Sequence, residues 1–201
     1  MKSTENHEYP TGLRIWHWLN FIAIAAILMT VLLRKTFLSY RANSALIQEK
    51  AAAAGTPLTK AVADEIAKTM RDRMWDFHVY FGFALAALLV YRLALRLRGS
   101  ASRSEARFSP NEMRMQRMGY VVFYAFAGFL SVTGLALAFK ASLPLSTEIV
   151  SFVKEAHELA LWGILLFVPL HLAGVLAAEF KSRSAGLISR IIGGGRLGDG
   201  R

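Results

Sequence analysis

Four of the chain's five histidines stand inside or at the edge of apolar runs, where an ionisable ring is costly unless something engages it. His157 and His171 share one such run and lie 14 positions apart. At ~1.5 Å per residue that is roughly 21 Å along a helix axis, most of a bilayer core. Fourteen steps of about 100° return the second side chain to within about 40° of the first, so both point from one face. His17 opens the first run and His78 the second. If successive helices alternate in direction, His17 reaches the depth of His171, and His78 that of His157. Haem iron takes axial imidazoles from opposite faces of its porphyrin, which calls for ligands on different helices at one level. The spacing thus predicts two bis-histidine haem sites stacked across a membrane, with the last helix serving both. The competing reading of each histidine alone is an interhelical hydrogen bond. His7 is polar and terminal, and no role is assigned to it.

The elements that must carry these rings show in the hydropathy. The 201 residues are 54% hydrophobic with a mean hydropathy of +0.36. The runs Ile15–Leu33, Met118–Phe139 and Leu159–Ala178 hold no charged residue, and each is long enough to cross a hydrocarbon core of ~30 Å. Phe77–Tyr91 is shorter and continues through Arg92 to Leu97, where arginine stems can snorkel to the headgroups. The expected fold is all-α, a four-helix transmembrane up-down bundle forming one domain over 1–201. Its helices are placed near 14–33, 75–97, 117–139 and 153–180, with a long helical loop at 34–73 and a flexible tail at 193–201. Within the loop, Thr56-Pro57 has the form of a helix start, and Ala51–Ala54 before Gly55 that of a helix end. Val62, Ile66 and Met70 recur every four residues. Such a stripe must bury against the bilayer surface, the bundle rim, a partner protein or a second copy of the chain. No internal repeat is evident.

Lys and Arg number 24 against 14 Asp and Glu, a formal charge of +10. The excess sits beside the apolar runs: Arg92, Arg96, Arg98, Arg103, Arg107, Arg114 and Arg117 between the second and third, and Lys181, Arg183, Arg190 and Arg196 after the fourth. That placement points to lipid headgroups and not to nucleic acid, and it predicts both termini on the cytoplasmic side of a bacterial inner membrane. The opposing signal is Arg34 to Arg73, whose eight basic residues are diluted by Glu49, Asp64, Glu65 and Asp72. A polar leader and a first run ending in Leu33-Arg34-Lys35 give no expectation of signal cleavage. The chain has no cysteine, which excludes disulfides, iron–sulfur ligation and covalent c-type haem attachment, so any haem here is held non-covalently, with b-type the default.

Other residues suit a flat macrocycle. Gly82 lies one turn after His78, where a missing side chain lets a porphyrin approach the backbone. Gly128 and Gly134 thin the third helix similarly, although ordinary helix packing favours small residues too. Arg14, Arg92 and Arg96 are candidates for pairing with haem propionates, with plain positive-inside placement as the alternative. Trp16, Trp18, Trp75 and Trp162 fit an interfacial aromatic belt, and Pro169 is expected to kink the last helix near His171.

These motifs resemble a known family. Arg14-Ile15-Trp16-His17-Trp18 is similar to the R-x-x-H-W opening of the bacterial cytochrome b561 and nickel–iron hydrogenase cytochrome b superfamily. His157, Leu159, Trp162, Ile164, Phe167 and His171 follow its H-x-L-x2-W-x-I-x2-F-x3-H pattern, and His78, Gly82 and Tyr91-Arg92-Leu93 resemble its second helix. The resemblance covers roughly 12–180. It implies two haem b groups, His17 with His171 on the cytoplasmic side and His78 with His157 on the periplasmic side. It further implies electron transfer between a periplasmic donor or dehydrogenase subunit and membrane quinone. The alternative within the fold is a stand-alone enzyme that oxidises a small reductant such as superoxide and reduces quinone, with Lys140 and Lys154 steering the anion. A histidine relay in a transporter or channel is disfavoured by only four helices, no inverted repeat and no intramembrane acidic pair.

Overall fold

The computed structural model describes residues 11–98, 110–180, 188 and 191–192. His7, Arg103, Arg107, Lys181, Arg183, Arg190, Arg196 and the tail at 193–201 lie outside the described residues. The described residues carry five helices and no strand: α1 Thr11–Lys35, α2 Tyr40–Ala53, α3 Lys60–Leu97, α4 Pro110–Ala138 and α5 Thr147–Phe180. Four stretches, Thr11–Lys35, Lys60–Leu97, Met113–Ala138 and Thr147–Phe180, are long and apolar enough to cross a membrane. The result is an all-helical bundle of a multi-pass membrane protein. Its surface is inverted relative to a soluble domain. Ile15, Phe21, Leu32, Val90, Val132, Leu159 and Leu166 are each more than half exposed, while Asn20, Thr30 and Thr133 are buried.

The chain divides into two compact units, Asn20–Leu85 and the combination of Met1–Leu19 with Ala86–Arg201. α3, most of which belongs to the first, is one unbroken helix of 38 residues, roughly 57 Å at ~1.5 Å per residue. Its charged first half, Lys60 to Asp76, has no place in hydrocarbon, so the helix extends well beyond the ~30 Å core. Hydropathy alone starts this helix near 75 and leaves a separate short amphipathic helix in the loop before it. Helical periodicity in fact continues from Lys60 straight into the apolar run, because no glycine or proline interrupts it.

The cap also moves. Gly55 adopts φ 74°, and the Gly55 and Thr56 amides donate to the carbonyls of Ala52 and Ala51, each at 3.0 Å. This paired return closes α2 with a glycine in the left-handed region. Thr56 therefore finishes α2, and Thr59 starts α3, its hydroxyl accepting from the Val62 amide at 3.4 Å. The alanine run does end a helix, as its composition predicts.

α2 folds back along α3 as an antiparallel hairpin. The Gln48 amide donates to the Leu58 carbonyl near the turn, Ser44 hydrogen-bonds the Asp64 carboxylate, and Arg71 lies 5.4 Å from the Tyr40 ring. The face that makes this contact is Ala63 and Ala67, both fully buried, with Ser44 opposite. Val62, Ile66 and Met70, the stripe that sequence periodicity selects, remain 40–51% exposed. Small side chains let the two helices approach closely, so the alanines take the interface and the larger apolar residues face outward.

In the second unit α4 and α5 are joined by residues 139–146 alone and pack antiparallel. Pro110 supplies a first-turn residue that needs no amide partner, and the Ser146 hydroxyl caps α5 by accepting from the Ile149 amide. The register is fixed by ring contacts. Phe123 meets Phe167 at 5.6 Å between centroids, and Phe126 lies against Gly163 so closely that a Cβ there would overlap its ring. Trp16 is buried at 8% exposure and donates to the Leu88 carbonyl at 2.8 Å, so it belongs to the interior and not to an interfacial belt. α5 continues helically through Pro169, whose missing N–H leaves the Leu165 carbonyl without its usual donor.

Candidate functional site

The bundle brings His17 and His171 together. His17 lies on α1 and His171 on α5, with ring centroids 6.4 Å apart and planes inclined by 50°. Two imidazoles bonded through nitrogen to one metal at about 2 Å, with ~1 Å from each nitrogen to its ring centre, place their centroids roughly 6 Å apart. The observed separation fits a single metal ion between them. Among the described residues no group of three histidine or acidic side chains is placed to hold a metal. Both rings are held by aromatic neighbours. Trp18 meets His17 edge-on at 6.0 Å, and Phe167 stacks on His171 at 5.7 Å with planes 13° apart.

His157 is held differently, by α4. Its Nδ1 lies 2.8 Å from the Thr133 hydroxyl, and a Cβ on Gly134 would stand 3.2 Å from its Cε1. The Thr133-Gly134 pair thus combines a hydroxyl with the clearance that lets the ring sit against the helix. In the Asn20–Leu85 unit, His78 has a parallel arrangement. Its Nδ1 lies 2.9 Å from the Thr30 hydroxyl on α1. The Trp75 indole stacks on it at 4.5 Å with planes 2° apart, and Arg34 covers the other part of that stack, 5.1 Å from Trp75.

The arginines have protein neighbours. Arg14 donates to the carbonyls of Ile191 and Ile192, at 3.3 and 2.6 Å, Arg92 lies over the Trp16 ring at 5.5 Å, and Arg96 is exposed near the end of α3. Gly82 has open space where a Cβ would project, as has Gly128, whereas Gly134 is tight against His157. Along the first turns of α1 is an open, mainly apolar hollow of about 260 Å³, lined by Thr11, Arg14, Ile15, Trp18 and Leu19 with Ile191 and Ile192; His17 is not part of its lining.

Thr30 and Thr133 were not among the residues that sequence spacing singles out. A signal for them exists. Each is a threonine in a mainly apolar, charge-free run, and with antiparallel neighbours each falls at the level of a histidine. No curated protein and no solved structure matches the chain. The family-wide pattern of prokaryotic cytochrome b561 matches it over residues 8–194, nearly its whole length, and the chain belongs to that family.

Proposed function

We propose that the chain is a di-haem cytochrome b that links a donor on the periplasmic face of the bacterial inner membrane with membrane quinone. Family membership supports transmembrane electron transfer by haem b. The observation that carries the finer reading is the His17–His171 pair, two rings from different helices at the separation that one metal requires. His78 and His157 are the proposed ligands of the second haem, on the depth argument of the sequence. When bound, haem b supplies an iron that accepts and releases one electron at a time.

The chain's own residues do the rest. The four imidazoles would hold the iron of the two haems. The aromatic and aliphatic side chains around them exclude water, and burial and ligand basicity set the potential. Both termini are proposed to face the cytoplasm, which puts the His17–His171 haem on that side. The hollow along α1 is the proposed quinone site, since it is apolar, opens outward and its lining residues flank a proposed ligand in the sequence. Oxidation of a small anion such as superoxide is the second reading, but one of its steering cations, Lys154, is set 3.9 Å from Glu158, which weakens the field it offers.

Ligand replacement tests the assignment. His17→Ala and His171→Ala are expected to remove one spectral component, and His78→Ala and His157→Ala the other. If His17→Ala and His78→Ala erased the same component, the pairing would be wrong. Ile15→Trp, which fills the hollow, is expected to slow haem reduction by quinol while leaving haem content intact. Unchanged quinol kinetics would place quinone elsewhere.

A further inference from the structure

Two threonines make the same pair of contacts on different helices. The Thr30 oxygen lies 2.6 Å from the Ile27 carbonyl and 2.9 Å from His78 Nδ1. The Thr133 oxygen lies 2.7 Å from the Phe129 carbonyl, 3.3 Å from that of Leu130, and 2.8 Å from His157 Nδ1. A hydroxyl has one hydrogen and two lone pairs. A carbonyl oxygen can only accept, so at 2.6–2.7 Å the hydroxyl hydrogen must lie towards it. The threonine oxygen then has only lone pairs left for the histidine, and Nδ1 must carry the proton. Both hydroxyls are buried, with residue exposures of 6% and 9%, in helices whose surroundings offer few competing acceptors.

We infer that Thr30 and Thr133 are positioning residues that fix His78 and His157 as the Nδ1–H tautomer and so present the Nε2 lone pair to iron. The inference rests on the reading of these histidines as haem ligands and adds to it what selects their reactive nitrogen. A neutral imidazole can bind a metal through only one nitrogen, and a partner that accepts from the other settles which one. The same hydrogen bond makes the ring a stronger donor, and the hydroxyl's own donation to a carbonyl polarises its oxygen further. A stronger donor favours ferric over ferrous iron. The threonines therefore hold the potential of the haem bound by His78 and His157 below what those imidazoles would give alone.

The test uses the full-length chain purified from membranes with haem bound, and Thr30→Val, Thr133→Val, Thr30→Ser and Thr133→Ser. Haem per chain, the redox titration of each spectral component and the low-spin ferric electron paramagnetic resonance signal are measured. Each valine variant is expected to raise the midpoint of the component assigned to its histidine and shift its resonance signal, leaving the other component in place. A several-fold to tenfold loss in the ferric-to-ferrous affinity ratio is expected, tenfold corresponding to about 59 mV for one electron. The serine variants, which keep the hydroxyl, are expected to titrate like the native chain. Loss of that one haem in a valine variant, restored in the serine variant, would support the same role. Fully loaded valine variants with unmoved midpoints and spectra would overturn it, as would serine variants that shift as far as the valines. A native chain without haem would instead defeat the underlying ligand reading.

Discussion

His17 and His171 meet aromatic rings, whereas His78 and His157 each meet a threonine hydroxyl, with the Trp75 indole also stacked on His78. Trp18 and Phe167 fix the planes of the first two, and Thr30 and Thr133 engage a specific nitrogen of the second two. A stacking neighbour orients an imidazole but does not choose which nitrogen carries the proton, and a hydroxyl already committed to a carbonyl does choose. The contrast also makes the two readings of an intramembrane histidine compatible. An interhelical hydrogen bond and metal ligation compete for a residue only if they need the same nitrogen. At His78 and His157 the threonine contact is at Nδ1, so it does not compete with the proposed ligation through Nε2.

The contrast breaks most severely if α5 does not serve both haems. Replacing His157 and His171 together is expected to abolish the Soret band, while either single replacement leaves about half the haem per chain. A double variant that still binds one haem would show that α5 is not the shared ligand helix. The next effect is on packing. Gly163 is in contact with the Phe126 ring, so Gly163→Ala is expected to destabilise the α4–α5 pair by ~1–3 kcal/mol, read as a lower unfolding temperature in detergent. Gly128 has open space, and Gly128→Ala is expected to be neutral or to stabilise its helix by about 0.5–1 kcal/mol. Equal effects at both positions would mean that the close approach at Gly163 is not what holds the pair. The smallest structural effect belongs to Ile66→Ser with Met70→Ser. Both side chains are 40–51% exposed, so haem content and unfolding temperature should stay unchanged. Slowed electron entry from the physiological donor would mark this stripe as a docking surface.

Much of this was readable before any coordinates. The four apolar runs and the His157–His171 spacing follow from helix rise and rotation alone, and the His17–His171 meeting follows once neighbours alternate in direction. The extent of α3 was not readable by hydropathy, because its charged first half reads as a separate amphipathic helix while its backbone has no reason to stop. The Val62–Met70 stripe drew attention because periodicity weights large apolar residues. Ala63 and Ala67 form the buried face instead, since close approach depends on small size and not on hydropathy. Thr30 and Thr133 escaped for a similar reason. One hydroxyl in an apolar run carries little signal until the register of the facing helix is known.

The haem-to-protein ratio of the purified chain, from a pyridine haemochrome assay against quantitative amino-acid analysis, reaches the centre of this reading. Two haem b per chain are expected. A ratio near one would mean that one pair of histidines serves only to join helices, and the proposed two-haem relay across the membrane would be wrong.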